Sequence, residues 1–215
     1  MTKQLTAISA SLLLLLATAS CRTVDTPMAH GPLDDIAGKH RAAETRLATE
    51  AAQAMQEGKA QEALVHYEQL YKKTVPGFFA PEKDRVEIAV NYAQLLRKTG
   101  KPERALKILA PYAEGRGGKV KHNANPLVLN EYAAALIEQD QLASAEKVVG
   151  QVLEDAKAAD YHADAYNLLG IILDAQGKHA EAEQSFRQAL DSWKGDSTSV
   201  MNNLAICLAA QGRFD

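Results

Sequence analysis

Cysteine is nearly absent. The 215 residues hold two, Cys21 and Cys207, too few for a disulfide framework and too far apart for a metal-ligating pair. Aromatic residues are scarce at 6%, whereas alanine and leucine recur throughout, which disfavours a β-sandwich and favours helices packed through small side chains. Basic charge is not in excess. Lys3 is the only charge in the first 20 residues, so the remainder sets 23 basic residues against 27 acidic ones, which excludes nucleic acid as the main partner. No Gly-x-Ser-x-Gly elbow or glycine-rich phosphate loop occurs. The histidines, His30, His40, His66, His122, His162 and His179, form no i, i+4 pair with a nearby carboxylate, so neither a metal nor a cofactor is signalled. Asp34-Asp35 and the Glu181/Glu183 pair suit linker and helix surface, and Cys207 suits a buried small position in a helix. The expectation is a protein that is not an enzyme.

What is present begins with an apolar run of about 15 residues, Leu5 to Ala19, behind Lys3, shorter than the roughly 20 residues that span a bilayer. Residues 1–20 read as a signal peptide. Their ending, Leu16-Ala17-Thr18-Ala19-Ser20-Cys21, resembles the lipobox of bacterial lipoproteins, although Thr18 stands where that family prefers leucine. The resemblance implies lipidation at Cys21 by acyl chains such as palmitate, a firm anchor at about 0.8 kcal/mol per buried methylene. Arg22, not aspartate, follows, which in that family implies the outer membrane, facing the periplasm. Cleavage after Ala19, at the small-x-small site Ala17-Thr18-Ala19, is the alternative and would release a soluble protein. Residues 21–38, with Pro27, Gly31 and Pro32, lack helical periodicity and read as a flexible tether.

From residue 39 to 215 one pattern recurs. Breaks at Gly58, Gly100, Asp140, Gly177 and Gly212 each follow an apolar helical stretch. Five residues after the first four breaks comes alanine (Ala63, Ala105, Ala145, Ala182), and four further on a larger apolar residue (Tyr67, Leu109, Val149, Phe186). Seven residues before each break sits a small one: Ala51, Ala93, Ala133, Gly170, Ala205. Units therefore start at 44, 86, 126, 163 and 198. The set resembles the tetratricopeptide repeat, most clearly in Tyr166-Asn167-Leu168-Leu169-Gly170 followed by Ala182, Phe186 and Ala189. That resemblance implies an all-α tetratricopeptide-repeat solenoid of antiparallel helix pairs, about four and a half repeats, with Glu50 departing from an apolar place in the first. Because the fifth unit stops at the turn after its first helix, the pattern predicts a second helix beyond residue 215, and partial exposure of Leu204, Cys207 and Leu208.

Between units, residues 115–123 read as a flexible basic loop, either solvated or a contact for an acidic partner or lipid headgroups. Phe78-Phe79 is packed between the first two units or, if exposed, marks a contact surface. In the repeat family, the first helices of successive units line a groove. The family's groove positions carry Asn130, Asn167 and Asn202, the apolar Leu127, Ala134, Ile137, Ile171, Ala175, Ile206, Ala209 and Ala210, the acidic Glu138, Asp164 and Asp174, and the basic Arg97 and Lys98. Asparagine suits the backbone of an extended segment, and it equally suits a bridge between neighbouring helices.

Signal, tether and repeats together resemble the TadD lipoproteins of Flp (tight adherence) pilus assembly, through the turns Gln176-Gly177-Lys178 and Gln211-Gly212-Arg213 after Asn-Leu-rich helices. That implies a membrane-anchored protein–protein scaffold of the bacterial envelope, with pilus or secretion components as partners. Type IV pilotins and scaffolds that recruit peptidoglycan enzymes share the combination. An accessory subunit of an envelope enzyme is the reading from a different class.

Overall fold

The computed structural model describes residues 32–74 and 82–214. Cys21, the signal segment and Phe78-Phe79 lie outside the described residues. Among those described, the elements are α1 (Pro32–Gln56), α2 (Ala60–Thr74), α3 (Glu82–Lys98), α4 (Pro102–Ala113), α5 (Pro126–Glu138), α6 (Leu142–Glu154), α7 (His162–Ala175), α8 (His179–Ser192) and α9 (Thr198–Ala210). Two short 3₁₀ turns, at Arg116–Gly118 and Ala156–Tyr161, lie between units. The fold is an all-α tetratricopeptide-repeat solenoid. One boundary differs from the sequence reading, because α1 begins at Pro32 and takes in residues assigned to the tether. Proline at the first turn and acidic Asp34 and Asp35 just behind it suit a helix start, even where apolar periodicity is weak.

Odd-numbered helices are the first of their units: α3, α5 and α7 pack against their even-numbered partners α4, α6 and α8, and α2, α4, α6 and α8 pack in turn against the next unit's first helix. Helices α3, α5, α7 and α9 also touch in succession, making one continuous face. The turn inside every unit closes identically. The break residue is left-handed in all five, with φ of 72° at Gly58, 73° at Gly100, 56° at Asp140, 75° at Gly177 and 74° at Gly212. The next amide bonds back over five residues, from Lys59 to the Ala54 carbonyl at 2.8 Å, and likewise Lys101 to Leu96, Gln141 to Leu136, Lys178 to Leu173 and Arg213 to Leu208. This Schellman closure satisfies carbonyls that the helix end leaves orphaned.

Asp140 alone adopts that conformation with a side chain, which crowds its Cβ against the following carbonyl. Asp140→Gly should therefore stabilise the fold by about 0.5 kcal/mol, after allowing for the looser unfolded chain, while Gly177→Ala should destabilise it by about 1 kcal/mol. Urea midpoints at constant slope measure both. A loss of stability in Asp140→Gly would mean that the aspartate side chain, not its backbone, matters at that turn.

The signature small residues are where helices touch: Ala51, Ala63, Ala93, Ala105, Ala133, Ala145 and Ala182 are all fully buried. In the fourth unit the contact is tightest. A Cβ added at Gly170 would stand 2.5 Å from the Phe186 ring, so only glycine lets α7 and α8 come this close. Helix α5 is buried without interruption from Val128 to Leu136, where it packs against α3, α4, α6 and α7, and opens to the surface only at its ends, Leu127, Ile137 and Glu138. In α9 only Val200 and Cys207 are buried, and Met201 and Ile206 stand exposed. Cys207 is fully covered, as suits a small buried position and against the partial exposure expected where the second helix is missing, with its Sγ 3.2 Å from the His179 carbonyl oxygen at the α7–α8 turn; Leu204 and Leu208 are half-buried.

Candidate interaction surface

The face built by α3, α5, α7 and α9 carries most of the groove positions singled out from sequence, but the structure uses many of them internally. Arg97 near the end of α3 reaches across to α5, where its Nε donates to Glu131 Oε1 at 2.5 Å and an Nη donates to Glu131 Oε2 at 3.3 Å. Its other Nη donates to Glu138. Glu131 is buried, and burial pushes its carboxyl above the usual carboxylate range against the pull of the Arg97 guanidinium. Arg97 and Glu138 are therefore partners of one another and not free charges for a ligand. Sequence reading missed Glu131; a lone carboxylate within the apolar run Val128–Leu136 was the available signal, since a buried charge needs a partner.

The three asparagines are not equivalent. Asn130 is buried, its Nδ2 donates to the Tyr161 carbonyl at 3.0 Å, and its Oδ1 has no hydrogen-bond partner. Asn167 accepts at Oδ1 from Asn203 Nδ2 at 3.0 Å, which ties α7 to α9. Asn202 is exposed. Two of the three thus bridge neighbouring elements, and substituting them would remove internal bonds along with any ligand contact. The apolar positions form a graded line: Leu127, Ile137 and Ile171 are half-buried, and Ile206 is 64% exposed. Lys98, Asp164, Ala175, Ala209 and Ala210 are exposed, and Ala134 is buried.

The basic loop is better ordered than its glycines suggested. Glu114 and Val120 form an antiparallel bridge, and the Gly115 amide donates to the Lys119 carbonyl at 2.7 Å. Lys121 Nζ donates to the Pro111 carbonyl at 2.6 Å, and Gln151 on α6 donates to the Lys121 carbonyl at 2.6 Å. Left-handed Gly117 (φ 75°) and Gly118 (φ 71°) make the tight reversal, leaving Arg116 and Lys119 exposed at its tip.

A second cluster escaped the sequence reading. At the α7–α8 turn, His179 Nδ1 lies 2.7 Å from Asp174 Oδ1, and Cys207 Sγ on α9 lies 3.2 Å from the His179 carbonyl oxygen. One ligand atom from each of Asp174, His179 and Cys207 falls within 4.8 Å of the others. Burial, followed by the Asp174 carboxylate, pushes the Cys207 thiol up. The spacing of five between Asp174 and His179 belongs to a turn, so a search at i, i+4 passes over it.

Two family models of the tetratricopeptide repeat match the chain, over residues 54–116 and 125–195, together more than half its length. The chain belongs to the tetratricopeptide-repeat proteins, whose repeats are scaffolds for protein–protein interaction. Solved structures agree in fold. BtubC (BKLC) from P. vanneervenii is similar with a TM-score of 0.61 at 18% identity, over 85% of this chain and 77% of that one. The pilF protein of Pseudomonas aeruginosa gives 0.55 at 17% identity, over 81% and 71%. MamA from Desulfovibrio magneticus RS-1, residues 41 to the end, gives 0.53 at 19% identity, over 80% and 87%. No curated protein matches the chain in sequence. Among the described residues, no helix is long and apolar enough to cross a membrane.

Proposed function

We propose that this chain is a lipid-anchored interaction scaffold of the bacterial envelope, held at the outer membrane through Cys21 and facing the periplasm, and that it assists assembly of a Flp/Tad-type pilus or secretion machine. The observation that carries the scaffold role is the continuous face of first helices, whose line Ile137, Ile171 and Ile206 runs from half-buried to exposed. Such a line suits an apolar peptide or helix laid along the repeats. With Arg97 neutralised by Glu131 and Glu138, the face holds no concentrated positive charge for an acidic tail. The anchor rests on the lipobox-like ending before Cys21, and the pilus role on the turns Gln176-Gly177-Lys178 and Gln211-Gly212-Arg213. On this reading the chain binds and does not catalyse.

Growth with labelled fatty acid tests the anchor. The wild type should take up label and fractionate with membranes, and Cys21→Ser should lose both. Equal labelling of the two would overturn lipidation at Cys21, and an unlabelled soluble wild type would establish cleavage after Ala19.

A further inference from the structure

We infer that Asp174, His179 and Cys207 form a zinc site that clips α9 to the fourth repeat. The donors are a carboxylate, an imidazole and a thiol, the nitrogen, oxygen and sulfur set that zinc takes in proteins. At bond lengths of about 2.0 to 2.3 Å, tetrahedral zinc holds such donors roughly 3.3 to 3.6 Å apart. Here Nδ1 and Oδ1 are 2.7 Å apart and all three ligand atoms lie within 4.8 Å, so side-chain adjustment of about an ångström suffices.

The positions are held from behind. Asp174 and His179 flank a turn locked by the Gly177 amide on the Asp174 carbonyl at 2.9 Å and the Lys178 amide on the Leu173 carbonyl at 2.9 Å. Cys207 is fully buried, which fixes the thiol, whereas the Asp174 and His179 side chains are 25% and 34% exposed and leave the ion a route from solvent. The Gln211 amide nitrogen lies 3.7 Å from Cys207 Sγ, so the amide oxygen after rotation, or a water, completes the fourth position.

Binding breaks the Cys207 S–H bond and forms Zn–S, with the proton released to solvent; zinc keeps its charge and nothing is oxidised or reduced. The consequence is local. Helix α9 has two buried side chains of its own, and its neighbour to Cys207 is Ile206, the most exposed member of the apolar line. A metal clip between the α7–α8 turn and α9 would hold α9, and Ile206 with it, against the fourth repeat.

The test uses the full chain with Co²⁺ as the spectroscopic probe and Zn²⁺ as competitor. Wild type and Cys21→Ser should show a thiolate-to-cobalt charge-transfer band that Zn²⁺ removes, and Cys207→Ser should lack it. His179→Gln, at a half-exposed position, should weaken binding at least tenfold, and carries the test should Cys207→Ser fail to fold. Zinc at about 100 times its Kd should also slow hydrogen exchange of α9 amides that open with the site by on the order of 100-fold. No band in the wild type, a band that survives Cys207→Ser or disappears in Cys21→Ser, or α9 exchange equal in zinc and in chelator would each overturn the site.

Discussion

Phe186→Ala should lower the unfolding free energy by about 3–5 kcal/mol, the cost of deleting a fully buried aromatic side chain together with the void it leaves. The ring is 1% exposed and lies against Gly170, which has no side chain to move into the space. The void is therefore lined by backbone of α7, which relaxes little. Gly170→Ala attacks the same contact from the other side. Its methyl group, 2.5 Å from the ring, forces α7 and α8 apart at about 1–3 kcal/mol, partly offset by the roughly 1 kcal/mol that alanine gains over glycine in a helix. Val65→Ala, at a position 53% exposed on α2, should stay within about 0.5 kcal/mol. Guanidinium unfolding should rank the losses Phe186→Ala, Gly170→Ala, Val65→Ala; a Phe186→Ala value near that of Val65→Ala would mean that the fourth repeat is not packed through this pair.

Arg97→Ala should cost about 3–5 kcal/mol at neutral pH, because it leaves the Glu131 carboxylate buried without its counter-charge. The loss is pH-dependent with a definite sign. Burial already holds the Glu131 carboxyl above its ordinary value, and removing the guanidinium takes away the main influence opposing that rise. A carboxyl raised in the folded state contributes stability below its unfolded value of roughly 4.3 and loses it as pH climbs through the folded value. The penalty of Arg97→Ala should thus be largest at pH 7 and shrink as the pH falls towards the ordinary glutamate range. Adding Glu131→Leu to Arg97→Met should recover most of the stability, since an apolar pair needs no compensation. A penalty constant between pH 7 and pH 4.5 would show that Arg97 acts by packing, not by charge.

The architecture was legible in the sequence because each repeat states its own turn. A left-handed residue, an alanine five places on and a larger apolar residue four places beyond that fix the register without reference to any other unit, and even Asp140 obeyed it. Contacts between units were not legible. Arg97 and Glu131 are separated by 34 residues, and which A-helix positions meet depends on how far one unit turns relative to the next. The same dependence decided the asparagines: the groove register placed Asn130 and Asn167 on the binding face, whereas rotation between units carries them onto Tyr161 and Asn203. The Asp174, His179 and Cys207 cluster combines both difficulties, a turn spacing within one unit and a single residue from the next.

The most direct test of the scaffold account is site-specific photo-crosslinking in growing cells, with a photoreactive residue placed singly at Ile171, Ile206 and Val65. The line of first helices predicts discrete protein adducts at Ile171 and Ile206 that share one partner, and none at Val65 on the second helix of the first repeat. Adducts confined to Val65, or the same adducts at all three positions, would contradict it.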